Sequence, residues 1–229
     1  MVNNIIYNKD SRHLIEIENN SIDYVITSPP FNIGHQYNYY VDSIDTNELI
    51  ELYHTFICSV FRVLKSGGVF IIDIADVAIM NHDVVFTADL VKQICNNIGL
   101  YLAKTVPYIV MNSDHSQEVS FCRSSSICAH SNCEQIIYFT KGEKGNSHIK
   151  QYSFATEYDY SEVKDKAFWP HKLVNDILNS ISIQHNTTIL DPFMGSGQLG
   201  KIAIQMGAKF IGYDIDEEIL MRNGWRYNK

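Results

Sequence analysis

The feature that most constrains the fold lies late in the chain, where the short apolar run Thr188-Ile189-Leu190 leads into Asp191-Pro192-Phe193-Met194-Gly195-Ser196-Gly197. A buried strand, a glycine turn and a helical pattern over Gln198–Gln205 read as one unit, and Phe210-Ile211-Gly212 supplies the next strand. In open α/β sheets ligands bind beyond the carboxyl ends of the strands, which is where this turn falls. Glycines there let a bound molecule approach the backbone without a Cβ in the way. Asp191 offers a carboxylate to a cationic amine. Asp214, about twenty residues past the glycine turn, stands where an acid can grip ribose hydroxyls. The bland alternative is a plain strand, turn and helix with two solvated acids. Asp-Pro-Phe before the glycines and Gly-x-Asp after them argue against it.

The rest of the chain repeats the alternation of strand and helix. Ile22–Thr27 reads as a buried strand stopped by Pro29 and Pro30, which cannot donate to a ladder. A helix is expected after Asp45, with Glu48 three residues on completing a capping box. Leu49, Leu52, Tyr53, Phe56, Val60 and Leu64 share one face at the helical period. Lys65-Ser66-Gly67-Gly68 ends that helix, and Val69-Phe70-Ile71-Ile72-Asp73-Ile74 is the next strand. Further expectations are a helix over 84–97, strands near Tyr108-Ile109-Val110 and Gln135-Ile136-Ile137-Tyr138-Phe139, and a helix over 171–182. Such a pattern builds an α/β three-layer sandwich around a mostly parallel sheet. With 229 residues, 45% of them apolar, the chain suits a single domain over 1–229 with a sizeable core.

A second strand end carries Thr27-Ser28-Pro29-Pro30-Phe31-Asn32. Two prolines stiffen the backbone and remove two N–H donors, so the nearby carbonyls can face a ligand as acceptors. An exocyclic amine on a base needs such acceptors, because its lone pair is delocalised into the ring until hydrogen bonds orient it. Phe31 offers a flat apolar face to an extruded base. Alone, Ser-Pro-Pro would be no more than a rigid turn.

Together the motifs resemble those of the DNA amino-methyltransferases. Thr27 to Asn32 is similar to their catalytic motif in its Ser-Pro-Pro-Phe form, which assigns Ser28, Pro29, Pro30 and Phe31 to catalysis. The stretch from Asp191 to Gly197 resembles the motif that holds the methionine part of S-adenosylmethionine, with Pro192, Phe193, Gly195, Ser196 and Gly197 as cofactor-binding positions. Asp214 resembles the family's ribose-binding acid, and Asp10-Ser11 the element that touches the adenine. Arg62-Val63-Leu64-Lys65-Ser66-Gly67-Gly68 is similar to a helix-to-strand turn usually written with Pro in place of Ser66. Ala167-Phe168-Trp169-Pro170-His171-Lys172-Leu173 resembles the segment flanking the cofactor, which adds Phe168. Gln198 stands where Thr is usual, and Asp165 where His often is. The catalytic motif precedes the cofactor motif, the permuted order of the β class. The resemblance implies a Rossmann-like methyltransferase fold with a permuted central sheet, S-adenosylmethionine as cofactor, and direct transfer to a base flipped out of double-stranded DNA. It implies no metal and no covalent cysteine intermediate. Ser-Pro-Pro-Phe is commoner among cytosine-N4 enzymes, with adenine N6 the alternative, and a non-catalytic recognition subunit the second.

The net charge of −8 runs against that picture, since nucleic-acid binders usually carry a basic surface. A homodimer or a partner subunit is expected to enlarge the DNA footprint. The opposing arrangement is a local patch such as Arg123, Lys141, Lys144 and Lys150. Small DNA-contacting insertions are expected at 112–132 and 143–166. His115, Cys122, Cys128, His130 and Cys133 carry zinc-ligand chemistry, but their spacing matches no paired Cys-x-x-Cys pattern and reads as a loop of free thiols. Tyr37, Tyr39 and Tyr40 either line a lid over the base or pack on the surface. Five cysteines, no signal-like start and no membrane-length apolar run point to a cytoplasmic protein without a membrane partner.

Overall fold

Alternation along the strands sets the architecture. In the computed structural model, which describes residues 4–32, 37–38, 42–80, 83–111, 128–130, 133–142, 148–159 and 169–229, side chains two apart on a strand enter the same one of two cores. Val25, Phe70, Ile72, Ile137, Phe139 and Leu190 enter one, and Tyr24, Ile26, Val69, Ile71, Ile136, Tyr138 and Ile189 the other. A sheet apolar on both faces must be covered on both, and helices do so here.

In chain order the elements are β1 (Ile5–Tyr7), β2 (Ile22–Thr27), α1 (Thr46–Val63), β3 (Leu64–Ala75), β4 (Ala78–Met80), β5 (Asp83–Val85), α2 (Thr87–Ile98), β6 (Leu100–Met111) and β7 (Cys128–His130). There follow β8 (Cys133–Lys141), β9 (Glu157–Asp159), α3 (His171–Asn179), β10 (Thr188–Asp191), α4 (Gln198–Gln205), β11 (Lys209–Tyr213) and α5 (Glu217–Arg222). The main sheet runs β1-β11-β10-β2-β3-β8-β6-β9, and β5-β4-β7 form a small second sheet. Strands β1, β11, β10, β2 and β3 are parallel neighbours, while β8 runs antiparallel to both β3 and β6. Helices α1 and α2 pack on one face, and α3, α4 and α5 on the other.

One topological fact positions the site. From β10 the chain passes through α4 outward to β11, whereas from β2 it passes through α1 the other way, to β3. The helices therefore leave adjacent strands toward opposite faces, and a crevice opens between β10 and β2 at their carboxyl ends.

The expected capping box is present: the Asp45 side chain accepts from the backbone of Asn47 and Glu48, and Glu48 accepts from Asp45 N–H. Beyond its apolar face, α1 also organises the segment before β2. Arg62 donates to the carbonyls of His13, Leu14 and Ile17 and to Asn19 Oδ1, at 2.7–3.1 Å, and Ser59 donates to Arg12 O at 2.8 Å. Lys141, a member of the suggested basic patch, instead donates to Phe61 O, Leu64 O and Asn20 Oδ1 at 2.7–2.8 Å. It caps the carbonyl end of α1 and is not available to phosphates.

Several boundaries differ from expectation. The second helix begins at Thr87, because 83–85 pair with β4 as a strand and the Thr87 hydroxyl donates to Ala75 O. The third stops at Asn179, where Ser180 turns its N–H and its hydroxyl back onto the helix and Ile181 bridges to Ile149. Strand β6 spans 12 residues, starting well before Tyr108. Strands β1 and β9, three residues each, were too short to show a period. No helix of the described residues is long and apolar enough to cross a membrane.

Arg62→Ala should destabilise the fold by about 1.5–3 kcal/mol, since it strips hydrogen bonds to a charged donor from carbonyls that face little water. Urea denaturation measures this. A loss under ~0.5 kcal/mol would mean that the segment before β2 holds itself.

Candidate active site

The two motif strands are joined at their ends. Thr27, fully buried on β2, donates from Oγ1 to Asp191 Oδ1 on β10 at 2.7 Å. The Phe193 N–H donates to the same oxygen at 3.1 Å, so the turn after β10 folds back over its own acid. Asp191 is 4% exposed, and burial pushes its carboxyl up to about 7 against the help of Thr27 and Phe193, with the Asp214 charge adding to the rise. Both hydrogen bonds fall on Oδ1, which leaves Oδ2 for a ligand.

The glycine turn is held from two sides. Asp214 Oδ2 accepts from Gly195 N–H at 2.8 Å, and Asp214 Oδ1 accepts from Asp216 N–H at 2.8 Å. Burial raises the Asp214 carboxyl in spite of these two backbone donors. Behind the turn, the Trp225 indole donates to Ser196 O at 3.0 Å. Gly197 has φ +70°, and a Cβ there would run into the Trp225 ring and Met194. Here glycine is required twice over, by backbone hand and by space.

Two hollows share Ser28, Phe193 and Gly195 in their walls. The larger, of about 620 Å³, is lined by Asp10, Ser11, Ser28, Pro30, Pro192, Phe193, Gly195 and Asp214, with Tyr37 and the exposed side of α1 opposite. A narrow recess of about 40 Å³ runs from Ser28 past Asp191, Phe193, Gly195 and Ser196 to Trp169 and Gln198. Gln198 Nε2 is buried there with no hydrogen-bond partner among the described residues. A buried donor without a partner is costly, which marks the recess as a place for an acceptor.

The other expected positions divide. Asp10 and Ser11 do line the large cavity, but Asp10 is exposed and ion-paired with Arg12 at 2.6 Å. Partial burial would raise its carboxyl, yet the Arg12 hydrogen bonds and charge bring it below its usual value. Pro29 is buried, and the Pro30 carbonyl accepts the Tyr53 hydroxyl at 2.9 Å. Phe31 is half-buried against the α1-side core and is not a wall of either hollow. Phe168, Asp165, Tyr39, Tyr40, His115, Cys122, Arg123 and Lys144 lie outside the described residues, as do most of 112–132 and, within 143–166, residues 143–147 and 160–166.

Three residues hold roles that the sequence reading did not assign, although Asn32 and Trp169 fall inside its motifs. Asn32, at φ +59°, donates to Ile44 O at 2.9 Å and accepts from Ile44 N–H at 2.8 Å, so one amide ties both ends of the loop that follows the prolines. An Asn beside a turn was the available signal, since Asn tolerates the left-handed region. Trp169 fell in the segment expected to flank the cofactor, whereas Trp225 gave no signal and reaches the site only through the fold.

Comparison with known proteins agrees with this geometry. Residues 22–222 match the model of the N6/N4 methylase family, described as DNA methylase. The type II methyltransferase M.HpaI of Haemophilus parainfluenzae is 25% identical over 224 residues, covering 90% of this chain and 68% of that enzyme. Among solved structures, the cytosine-N4-specific PvuII DNA methyltransferase superposes with a TM-score of 0.70 at 18% identity, covering 98% of this chain and 86% of that one. M1.HpyAVI in complex with S-adenosylmethionine gives 0.61 at 16% identity, over 96% of both chains. At such identities the superpositions establish the fold.

Asp191 also makes a prediction about stability. Its folded value of about 7 lies above the ordinary 3.8, so its contribution is full below pH 4 and is lost as pH rises through 7. Asp191→Asn keeps an acceptor for Thr27 without a charge to bury. Its melting temperature should gain on wild type between pH 4 and 7 and hold that gain above. A variant less stable than wild type at pH 8 would contradict the assignment of burial as the dominant cause.

Proposed function

Because the chain belongs to the N6/N4 DNA methylase family and is an S-adenosylmethionine-dependent DNA methyltransferase, we propose that it methylates the N4 amine of cytosine in double-stranded DNA. The observation that carries this reading is the position of Ser28. It stands at the end of β2, where the large cavity meets the recess closed by Asp191. The Ser-Pro-Pro-Phe wording and the fold shared with a cytosine-N4-specific enzyme favour cytosine over adenine.

The cofactor supplies a methyl group on a sulfonium, open to in-line attack by an amine nitrogen. Its methionine end suits the recess: Asp191 Oδ2 can take the ammonium, and Gln198 Nε2 with the turn amides around Gly195, Ser196 and Gly197 can take the carboxylate. Asp214 has a lone pair left on each oxygen for ribose hydroxyls. Asp10 and Ser11 border the part of the large cavity left for the adenine, with Pro192 and Phe193 as apolar walls. On the substrate side, the Ser28 hydroxyl and the Pro29 carbonyl orient the target amine, while Phe31, half-buried on the core and outside both hollows, has only its exposed part left for stacking on the base. Holding both reactants in one crevice supplies much of the rate by proximity.

With Lys141 engaged as a helix cap, the basic patch loses a member. A charge of −8 then favours a homodimer or a partner subunit on the DNA. Incubation with labelled cofactor and DNA, followed by mass spectrometry of the nucleosides, should give N4-methylcytosine, with specific activity falling on dilution as the assembly dissociates. N6-methyladenine would overturn the choice of base, and activity independent of dilution in a protein that light scattering finds monomeric would overturn the assembly.

The buried acid also predicts how binding depends on pH. The cationic amine pairs with ionised Asp191, so cofactor affinity should be full above about pH 7 and fall below it, by up to about tenfold per unit. Calorimetry across pH 5.5–8 measures this. A flat profile, or one unchanged in Asp191→Asn, would place the amine elsewhere.

A further inference from the structure

Beside Ser28 the sheet holds a buried pair of acids that methyl transfer, as described, does not use. Ile72 on β3 is the ladder partner of Thr27 on β2, so one step further along both chains Asp73 comes level with Ser28. Val69 and Ile71 enter the α3-side core, and by the same alternation Asp73 points to that face. It is 1% exposed.

Its carboxylate has two side-chain donors beside the backbone N–H of Ile74. The Trp169 indole N–H donates to Oδ2 at 2.7 Å, and the Tyr108 hydroxyl lies 2.9 Å from Oδ2 and 3.0 Å from Oδ1. The same hydroxyl is in hydrogen-bond contact with Glu134 Oε2 on β8, itself buried. One hydroxyl carries one proton and cannot donate to two carboxylates. The consistent arrangement has Glu134 protonated and donating to the Tyr108 oxygen, while Tyr108 donates to Asp73. Burial raises both acids, and the Asp73 charge raises Glu134 further.

Two acids inside a core cost more than apolar side chains of the same size, so the network calls for something it accomplishes. Its outlet is Trp169. That residue stands just before α3, packs only partly into the core, and forms the wall of the recess shared with Ser28, Asp191 and Gln198. A hydrogen bond to a charged acceptor fixes the plane of the indole more firmly than packing alone. We propose that Asp73 is a positioning residue for methyl transfer: it sets the Trp169 indole as the wall of the recess, and Tyr108 with Glu134 hold Asp73 in place. The proposal rests on the reading of the recess as the methionine end of the cofactor site.

A double-mutant cycle tests it, with S-adenosylmethionine affinity read by calorimetry and indole emission read in parallel. Asp73→Leu should weaken the cofactor about tenfold, the loss of one charge-assisted hydrogen bond at the wall. Asp73→Asn keeps a carbonyl acceptor for the indole and should recover most of that. In a Trp169→Phe background, which has a ring but no N–H, Asp73→Leu should cost nothing further. Asp73→Leu should also shift the component of emission that Trp169→Phe removes, leaving the Trp225 component in place. Should Asp73→Leu fail to fold, Asp73→Ser, whose hydroxyl is too short to reach the indole, takes its place in the same cycle with Trp169→Phe. Losses that multiply in the double variant, or unchanged affinity and emission in Asp73→Leu or its substitute Asp73→Ser, would make Asp73 a core residue and overturn the proposal. A wild-type chain that binds no cofactor would overturn the reading of the recess as well, so the two failures are distinguishable.

Discussion

The hydrogen bond from Thr27 Oγ1 to Asp191 Oδ1, 2.7 Å long and closed to water, joins two strand ends that lie 164 residues apart in sequence. Parallel strands that send their helices to opposite faces have nothing but the ladder to hold their tips in register, and the crevice opens where the ladder ends. Here a side chain from the tip of β2 binds the acid at the tip of β10. Ser28 follows Thr27 directly, and the glycine turn follows Asp191, so this one contact sets the spacing between Ser28 and the turn, the proposed substrate and cofactor sides. Other fixtures work outward from it: Asp214 holds Gly195, Trp225 holds Ser196, and Asn32 closes the loop beyond the prolines.

Charge explains why the site is held so firmly. Asp191, Asp214, Asp73 and Glu134 are all raised by burial, and no lysine or arginine is recorded beside any of them among the described residues. Acids kept from water without a cation are a standing cost to the fold, borne by backbone amides and hydroxyls. A ligand with positive charge at the Asp191 end relieves that cost on binding, so the same groups that weaken the empty site strengthen the loaded one. This trade between stability and affinity is common at functional sites.

The strands and the glycine turn were legible because their signals are local. Apolar runs stopped by Pro29-Pro30 or by Gly195 mark strand ends without reference to anything distant, and β2, α4 and the capping box at Asp45 fall where expected. What the sequence concealed depends on distant partners. Lys141 looks like one of several surface cations until the carbonyls of Phe61 and Leu64 come within its reach. Phe31 reads as an open stacking face, but half of it is taken by the core under α1. Val84 fits a helical period and pairs as a strand instead, because Ile79 lies opposite it. The role of Trp169 depends on Asp73, 96 residues earlier in the chain.

The central claim is that one crevice, between β10 and β2, serves both cofactor and base. The most direct measurement is a structure of the chain with sinefungin, an unreactive cofactor analogue, and a DNA duplex. The amino-acid ammonium should sit on Asp191 Oδ2, the ribose at Asp214, and an extruded base with its amine at Ser28. An analogue seated away from the ends of these two strands, or a base held on the far side of the sheet from Ser28, would contradict it.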